Sequence, residues 1–274
     1  MDFNKQVIEE FRANGGKVGG YFEGARLLLI TTTGARSGAP HTTPVGYLPD
    51  GDRVVIIGSA GGAPKHPAWF HNLRANPSLT VEDGTMTYEA KAIVLEGPER
   101  DELWARAVEA DQGWADYQAK TTRVIPVVAI ESVHSGPPNV NADTPGGGLK
   151  AIHDAFRREL GLIRGEVAAS GPKLGAQLRV NCLTLCGGLT FHHQAEDGGI
   201  FPFLMLNHPE LAPVVARLEQ EHERIAALLE QLQVAITGDG HQALAEVDRL
   251  IEELEAHLTY EEEYLIPILN GVAV

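Results

Sequence analysis

The chain has only two cysteines in 274 residues, 22 basic side chains against 37 acidic ones, and no apolar run of membrane-spanning length. Two cysteines four residues apart, Cys182 and Cys186, exclude a disulfide framework; on an expected helix they read as buried thiols rather than as metal ligands or a redox pair. The deficit of basic residues gives a net charge of -15, which argues against nucleic acid and anionic membrane surfaces as partners. Residues up to Ser135 carry 13 Lys and Arg against 17 Asp and Glu, so the remainder, with 9 against 20, holds most of the excess. The opening Met-Asp-Phe-Asn-Lys-Gln lacks the apolar core of a signal peptide, and a cytoplasmic location is expected. No G-x-G-x-x-G follows a strand-like segment, so a Rossmann reading has little support.

What is present divides at a Gly/Pro-rich stretch. Ser135-Gly136-Pro137-Pro138 opens it and Gly146-Gly147-Gly148 closes it, which predicts a first domain over 1–135, a linker over 136–148 and a second domain over 149–274. In the first part, short β-branched runs bounded by Gly, Pro and Asp predict strands at 27–33, 42–48, 53–58, 79–82, 85–95 and 124–131. Helices are expected at 4–13, 67–75 and 99–109. The pattern suggests a small β-barrel with helices packed outside. The second part carries apolar residues at steps of three and four, predicting helices over about 149–168, 172–197, 209–236 and 240–264. Short connections between them favour an up-down-up-down bundle. The fold class is thus multidomain α+β, a barrel with flanking helices followed by an all-α four-helix bundle.

Six ligand-type residues interrupt the apolar stripes of that bundle. His153 lies between Leu149 and Phe156, His192 follows Leu189 with Glu196 one turn on, His222 lies between Leu218 and Ile225, and His257 follows Leu254 with Glu261 one turn on. Polar groups aimed into a bundle are costly unless something inside binds them. One buried histidine is ordinary, but six such residues in register on four helices point to a metal site. The H-x-x-x-E spacing puts imidazole and carboxylate on one helix face, and a glutamate can bridge two cations. Four nitrogens and two bridging carboxylates are expected. His193, Asp197, Glu221 and Glu262 fall one residue off the stripes and are expected to orient the ligands. His208 and His241 fall near helix ends and are expected in solvent.

These residues, with His192-His193-Gln194-Ala195-Glu196-Asp197-Gly198-Gly199-Ile200-Phe201-Pro202 and His257-Leu258-Thr259-Tyr260-Glu261-Glu262, resemble the hemerythrin-like (HHE cation-binding) family over about residues 149–270. The resemblance implies two iron ions in a non-haem di-iron centre. One departure stands out: oxygen-carrying members take two histidines a turn apart from the third helix, whereas here Ala226 and Leu218 flank His222 by one turn. Four histidines would leave one iron less saturated, which favours redox chemistry or the sensing of O2, NO or peroxide over reversible oxygen carriage.

The first part offers two small-residue loops. Thr31-Thr32-Thr33-Gly34-Ala35-Arg36-Ser37-Gly38 ends a strand in a turn that could cradle an anion, though taken alone a plain turn with a solvated arginine is the better reading. Gly58-Ser59-Ala60-Gly61-Gly62 leads to His66-Pro67-Ala68-Trp69-Phe70-His71-Asn72, where the aromatics could wall a planar ring or fill the core. With Thr42-Thr43-Pro44 and Asp116-Tyr117-Gln118-Ala119-Lys120-Thr121-Thr122-Arg123-Val124-Ile125-Pro126, these segments resemble the deazaflavin (F420)-dependent nitroreductase family, over residues 4–131.

That resemblance implies a split β-barrel and the coenzyme F420. It places Arg36, Ser37, His41, Thr42, Thr43 and Pro44 on the cofactor's phosphate and acidic tail. Ile57, Gly58, Ser59, Ala60, Ala68, Trp69, Phe70, His71 and Asn72 would contact the ring and its linker. Ala35 and His41 stand where relatives often carry arginine, and Ala60 where some carry lysine. Asp111 and Trp114 replace tyrosines of nitroimidazole-reducing relatives, while Tyr117 is kept and becomes the expected phenolic donor. The expectation is an F420H2-dependent oxidoreductase passing hydride to a quinone-like or other electrophilic small molecule, with a di-iron domain that meets O2, NO or peroxide. The alternative is a di-iron gas or redox sensor, or scavenger, whose barrel only binds F420.

Overall fold

The computed structural model describes residues 3–133, 140–238 and 240–271; positions 136–139 of the expected linker lie outside them. The chain forms two compact units, one of residues 1–141 with 175–177, the other of residues 142–174 with 178–274.

The first unit is a closed antiparallel barrel. Its strands are β1 (Leu27–Thr33), β2 (Pro40–Asp50), β3 (Arg53–Ile57), β4 (Ser78–Glu82), β5 (Thr87–Val94) and β6 (Val127–Ser132), in the order β1-β2-β3-β6-β5-β4. Its helices are α1 (Phe3–Ala13), α2 (Ala68–Ala75), α3 (Gly97–Ala110) and α4 (Gly113–Ala119). The continuous apolar run of β1 has a structural cause. Leu28 and Ile30 point into the barrel with Ile56, Val81 and Val128, while Leu27 and Leu29 face outward against Val7 and Phe11 of α1. Likewise Val128 and Ile130 of β6 line the barrel, and Val127 and Ala129 lie under Leu103 of α3. Strands covered on both faces lose the polar alternation of a half-exposed sheet. Helix α4 is a single short element within 113–119, which sequence periodicity does not reach.

In the second unit the helices are α5 (Pro145–Ser170), α6 (Ala176–Ala195), α7 (Phe201–Asn207), α8 (Ala212–Thr237) and α9 (Ala243–Gly271). A π-helical turn over Glu196–Ile200 joins α6 to α7, so the second helical arm runs past the expected end at 197. Helix α5 begins before the expected residue 149. The Thr144 side chain accepts the Gly147 N–H at 3.1 Å and Pro145 occupies the first turn, a strong start signal that overrides three glycines. Gly146 is required for contact: a Cβ there would lie 2.6 Å from Oδ1 of Asn270, which accepts the Gly146 N–H at 3.0 Å. Helix α9 continues through Pro267 to Gly271, beyond the expected 264.

The bundle core is split into two apolar clusters. One contains Leu160, Leu189, Ile225, Leu229, Leu254 and Leu258; the other contains Leu149, Phe201, Leu204, Val215, Leu218 and Leu265. Along α5 and α8 the ligand-type residues His153 and His222 fall between residues of the two clusters. Cys182 and Cys186 are buried in the first cluster, and desolvation pushes the Cys186 thiol up to about 11, so it stays protonated. Among the described residues no helix is long and apolar enough to cross a membrane.

Candidate metal centre and cofactor site

The polar layer of the bundle brings together all six expected ligands and one more. His153, His192, Glu196 and Glu261 form one group and His193, His222 and His257 another, with the ligand atoms of each group within 4.8 Å of one another. All seven side chains are at least nine-tenths buried. His193 ring-stacks on His222 with centroids 4.1 Å apart. Among the described residues His193 thus joins the four expected imidazoles in the polar layer. The reason is geometric: consecutive helical residues diverge by about 100°, and α6 is embedded deeply enough that His192 and His193 both stay inside, each facing a different group.

The carboxylates link the two groups. Oε1 of Glu196 lies 3.2 Å from Nε2 of His192, and its Oε2 lies 3.6 Å from Nε2 of His222. Oε2 of Glu261 lies 3.5 Å from Nε2 of His153 and 3.6 Å from Nε2 of His257. Each glutamate thus faces one histidine of either group, the disposition a bridging carboxylate needs.

Three acidic neighbours fix the rings. Glu262 accepts from Nδ1 of His153 at 3.0 Å, Asp197 from Nδ1 of His222 at 2.8 Å, and Glu221 from Nδ1 of His257 at 3.1 Å. A proton held at Nδ1 leaves the Nε2 lone pair aimed inward. Arg157 in turn holds Glu262 at 2.6 Å, and Arg217 holds Glu221 at 2.8 Å. The Ala226 position therefore does not by itself deplete the site. His208, half-exposed, pairs with Glu210 at 3.2 Å and stays apart from the layer.

The donor set fits metal ions on its own chemistry. The Nε2 atoms of His153, His192, His193, His222 and His257 and all four oxygens of Glu196 and Glu261 are buried without a hydrogen-bond partner. Desolvation holds the five histidines below their ordinary value, His257 at about 4 and His192 at about 3, so they are neutral ligands at neutral pH. Desolvation also raises Glu261 to about 7 and Glu196 well above the usual carboxylate range. Buried acids in that state favour cations over solvent. Nitrogen and carboxylate donors around two adjacent centres suit iron.

In the barrel the expected cofactor residues gather on two loops. Arg36 and Ser37 are exposed on the tight turn between β1 and β2, and exposed His41 stands at the start of β2 with its Nε2 3.3 Å from Ser37 Oγ. A Cβ at Gly34 would lie 2.4 Å from Ser37 Oγ, so the turn closes only around glycine. Thr42, Thr43 and Pro44 follow half-buried on β2, Thr42 sharing a 2.8 Å hydrogen bond with Thr31. Buried Asn72 of α2 ties this turn down: its Oδ1 accepts the Ala35 N–H at 2.9 Å and its Nδ2 donates to Thr32 at 3.0 Å. Its sequence neighbourhood marks it only as one contact among many, and this anchoring role is legible from the geometry alone.

The second loop leaves β3 after buried Ile57. Gly58 is packed against Pro126, where a Cβ would meet the ring at 2.6 Å. Ser59 is half-buried and Ala60 exposed. On α2, Ala68 and His71 face outward, whereas Trp69 and Phe70 are buried in the barrel core. Of the two roles open to these aromatics, filling the core is the one their burial supports. Gly62, at φ +83°, lies where a Cβ would be 2.8 Å from the Tyr117 carbonyl, so loop and α4 touch through glycine. The Tyr117 phenol is raised above its ordinary value, chiefly by a hydrogen bond with Tyr21, and its ring packs edge-on to Trp114. Tyr21 carries no signal in the sequence.

With both sites described, comparison places them. Residues 4–132 match the family model of F420H(2)-dependent quinone reductases. F420H(2)-dependent quinone reductases from two strains of Mycobacterium tuberculosis share 37% identity over 124 residues, covering 44% of this chain and 83% of theirs. The chain belongs to the F420H(2)-dependent quinone reductase family. A solved F420-H2 dependent reductase (FDR-A) is 42% identical, with 39% of this chain and 94% of that one covered and a TM-score of 0.36. Residues 146–269 match the family model of the hemerythrin HHE cation binding domain.

Proposed function

We propose that the barrel unit transfers a hydride from F420H2 to a quinone-like or other electrophilic acceptor, and that the bundle holds a non-haem di-iron centre that meets O2, NO or peroxide. The observation carrying the first half is the convergence of the Arg36–His41 turn, the Gly58–Gly62 loop and Tyr117 on a chain of this family. The bound deazaflavin supplies the hydride. Arg36, Ser37 and His41 bind its anionic tail, with Asn72 holding the turn that carries them. The Tyr117 phenol keeps its proton at neutral pH and donates to the oxygen of the acceptor as charge develops there.

For the bundle, the nine partnerless ligand atoms carry the reading. Iron there supplies one-electron chemistry and an affinity for small diatomic or peroxidic ligands. The residues that would hold it are five neutral imidazoles and the Glu196 and Glu261 carboxylates, with Glu262, Asp197 and Glu221 as the acceptors that fix three of the rings. A deazaflavin moves two electrons as hydride and an iron pair exchanges them singly, so a diffusible quinol-like carrier, or no electronic exchange at all, is the expected relation between the sites. The test is anaerobic oxidation of F420H2 by the iron-loaded protein, with quinones and then with oxygen. Turnover with a quinone is expected. F420 binding without turnover on any quinone, alongside an oxygen-dependent change in the iron spectrum, would replace this reading with a sensor.

A further inference from the structure

One arginine in the barrel unit makes an unusual set of contacts. Arg123 donates from Nε to the Ala63 carbonyl at 2.9 Å, from one terminal nitrogen to the Gly58 carbonyl at 3.0 Å, and from the other to the Ser59 carbonyl at 2.6 Å. The same terminal nitrogen that reaches Gly58 lies 3.1 Å from Nδ1 of His66. Among the described residues no carboxylate pairs with it. Desolvation and the Arg123 charge hold His66 below its ordinary value, so the ring is neutral and Nδ1 can accept. A half-buried guanidinium spent on three carbonyls of one loop and a neighbouring imidazole has a shaping role rather than an ion-pairing one.

The shape it imposes is visible at the next residue. Ala60 has φ +47° and is the only non-glycine residue with positive φ among those described. Left-handed backbone is costly for alanine and persists only where the surroundings enforce it. In a trans peptide the C=O and the following N–H point in opposite directions. The Ser59 oxygen accepts from both Arg123 at 2.6 Å and the Gly62 N–H at 3.0 Å, and the Ala60 N–H is thereby aimed away from the guanidinium.

We propose that Arg123 is a positioning residue that flips the Ser59–Ala60 peptide, so that the Ala60 N–H donates to a carbonyl of the deazaflavin ring. This rests on the F420 reading above. Gln118 completes the device. Its Nε2 donates to the Arg123 carbonyl at 2.8 Å and its Oε1 accepts the Ile125 N–H at 3.0 Å, tying the arginine's segment to the helix that carries Tyr117. The donor peptide and the phenol are thus set by one network. A donor at the ring carbonyl stabilises the charge that the pyrimidine end of the cofactor carries in its reduced form.

The experiment combines Arg123→Lys, Arg123→Gln and Ala60→Gly with fluorescence titration of oxidised F420, steady-state kinetics, melting curves and crystal structures of the cofactor-free variants. Arg123→Lys keeps the charge but loses the fork, so it should raise the Kd for F420 at least tenfold, as Arg123→Gln does. Ala60 should return to negative φ in both, and Ala60→Gly should restore part of the affinity in the Arg123→Lys background. Wild-type affinity in Arg123→Lys, or a left-handed Ala60 retained in either variant, overturns the proposal. Should the wild type fail to bind F420, the cofactor reading falls, and with it the proposed hydrogen bond. The crystal structures then decide separately whether Arg123 flips the peptide.

Discussion

Removing metal from the bundle should cost it a large share of its stability. Five imidazole nitrogens and four carboxylate oxygens are buried there without hydrogen-bond partners. At about 1–3 kcal/mol for each stranded polar atom, the gross penalty is on the order of 10–25 kcal/mol. Part of it relaxes, because Glu196 and Glu261 have raised values and can share protons with each other once no cation is present. Charging only the five nitrogens at about 1 kcal/mol each leaves about 5 kcal/mol, against a typical total of about 5–15 kcal/mol. For a unit of this size that is a fall in Tm of about 15 °C, at about 3 °C per kcal/mol. The assay is reductive chelation with bipyridine, metal analysis to confirm removal, and circular dichroism at the helix band. A bundle transition that moves by less than about 4 °C, on the scale of one kcal/mol, would refute the view that these residues depend on a bound cation.

Three further outcomes follow from the geometry. Exchanging His193 for Ala should lower the retained iron by about half and alter one of two Mössbauer environments, as loss of a ligand from one centre requires; unchanged iron content and spectra would return His193 to a packing role. Tyr117→Phe should reduce kcat while leaving the Kd for F420 within about twofold, and equal losses in both would make Tyr117 a binding residue. Burial alone would raise the Asp50 carboxyl, but hydrogen bonds from Arg106 at 2.6 Å and Arg53 at 2.8 Å hold it below the usual range. Its folded value lies under its unfolded one, so its contribution is complete above about pH 4 and is lost as pH falls through the folded value. Asp50→Asn should cost about 2 kcal/mol at neutral pH and flatten the acid side of the urea-stability profile; parallel wild-type and variant profiles down to about pH 3 would contradict this.

The barrel and bundle were legible because burial leaves periodic marks. β-branched runs gave all six strands to within a few residues, and three-four spacing gave the long helices. What escaped were features set by single contacts. Helix α5 starts early because Thr144 caps it and Asn270 seats Gly146, a partner 124 residues away that no local glycine count reveals. Helix α4 is too short to show a period. The loop geometry around Ala60 depends on Arg123, 64 residues from Ser59 in sequence.

His193 shows the limit of the stripe argument most clearly. A stripe identifies one inward direction per helix, and on that rule a residue adjacent to a ligand must face elsewhere. Asp197, Glu221 and Glu262, each one residue off a stripe, accept hydrogen bonds from Nδ1 of the histidines of that layer. The rule fails for His193 because two groups of ligand-type side chains lie side by side, so a helix running between them has two inward directions. The side-by-side arrangement of the two groups therefore hides one inward-facing histidine from periodicity. A pair of adjacent histidines with a glutamate one turn after the first, His192-His193-x-x-Glu196, is the sequence signal that fits such a helix.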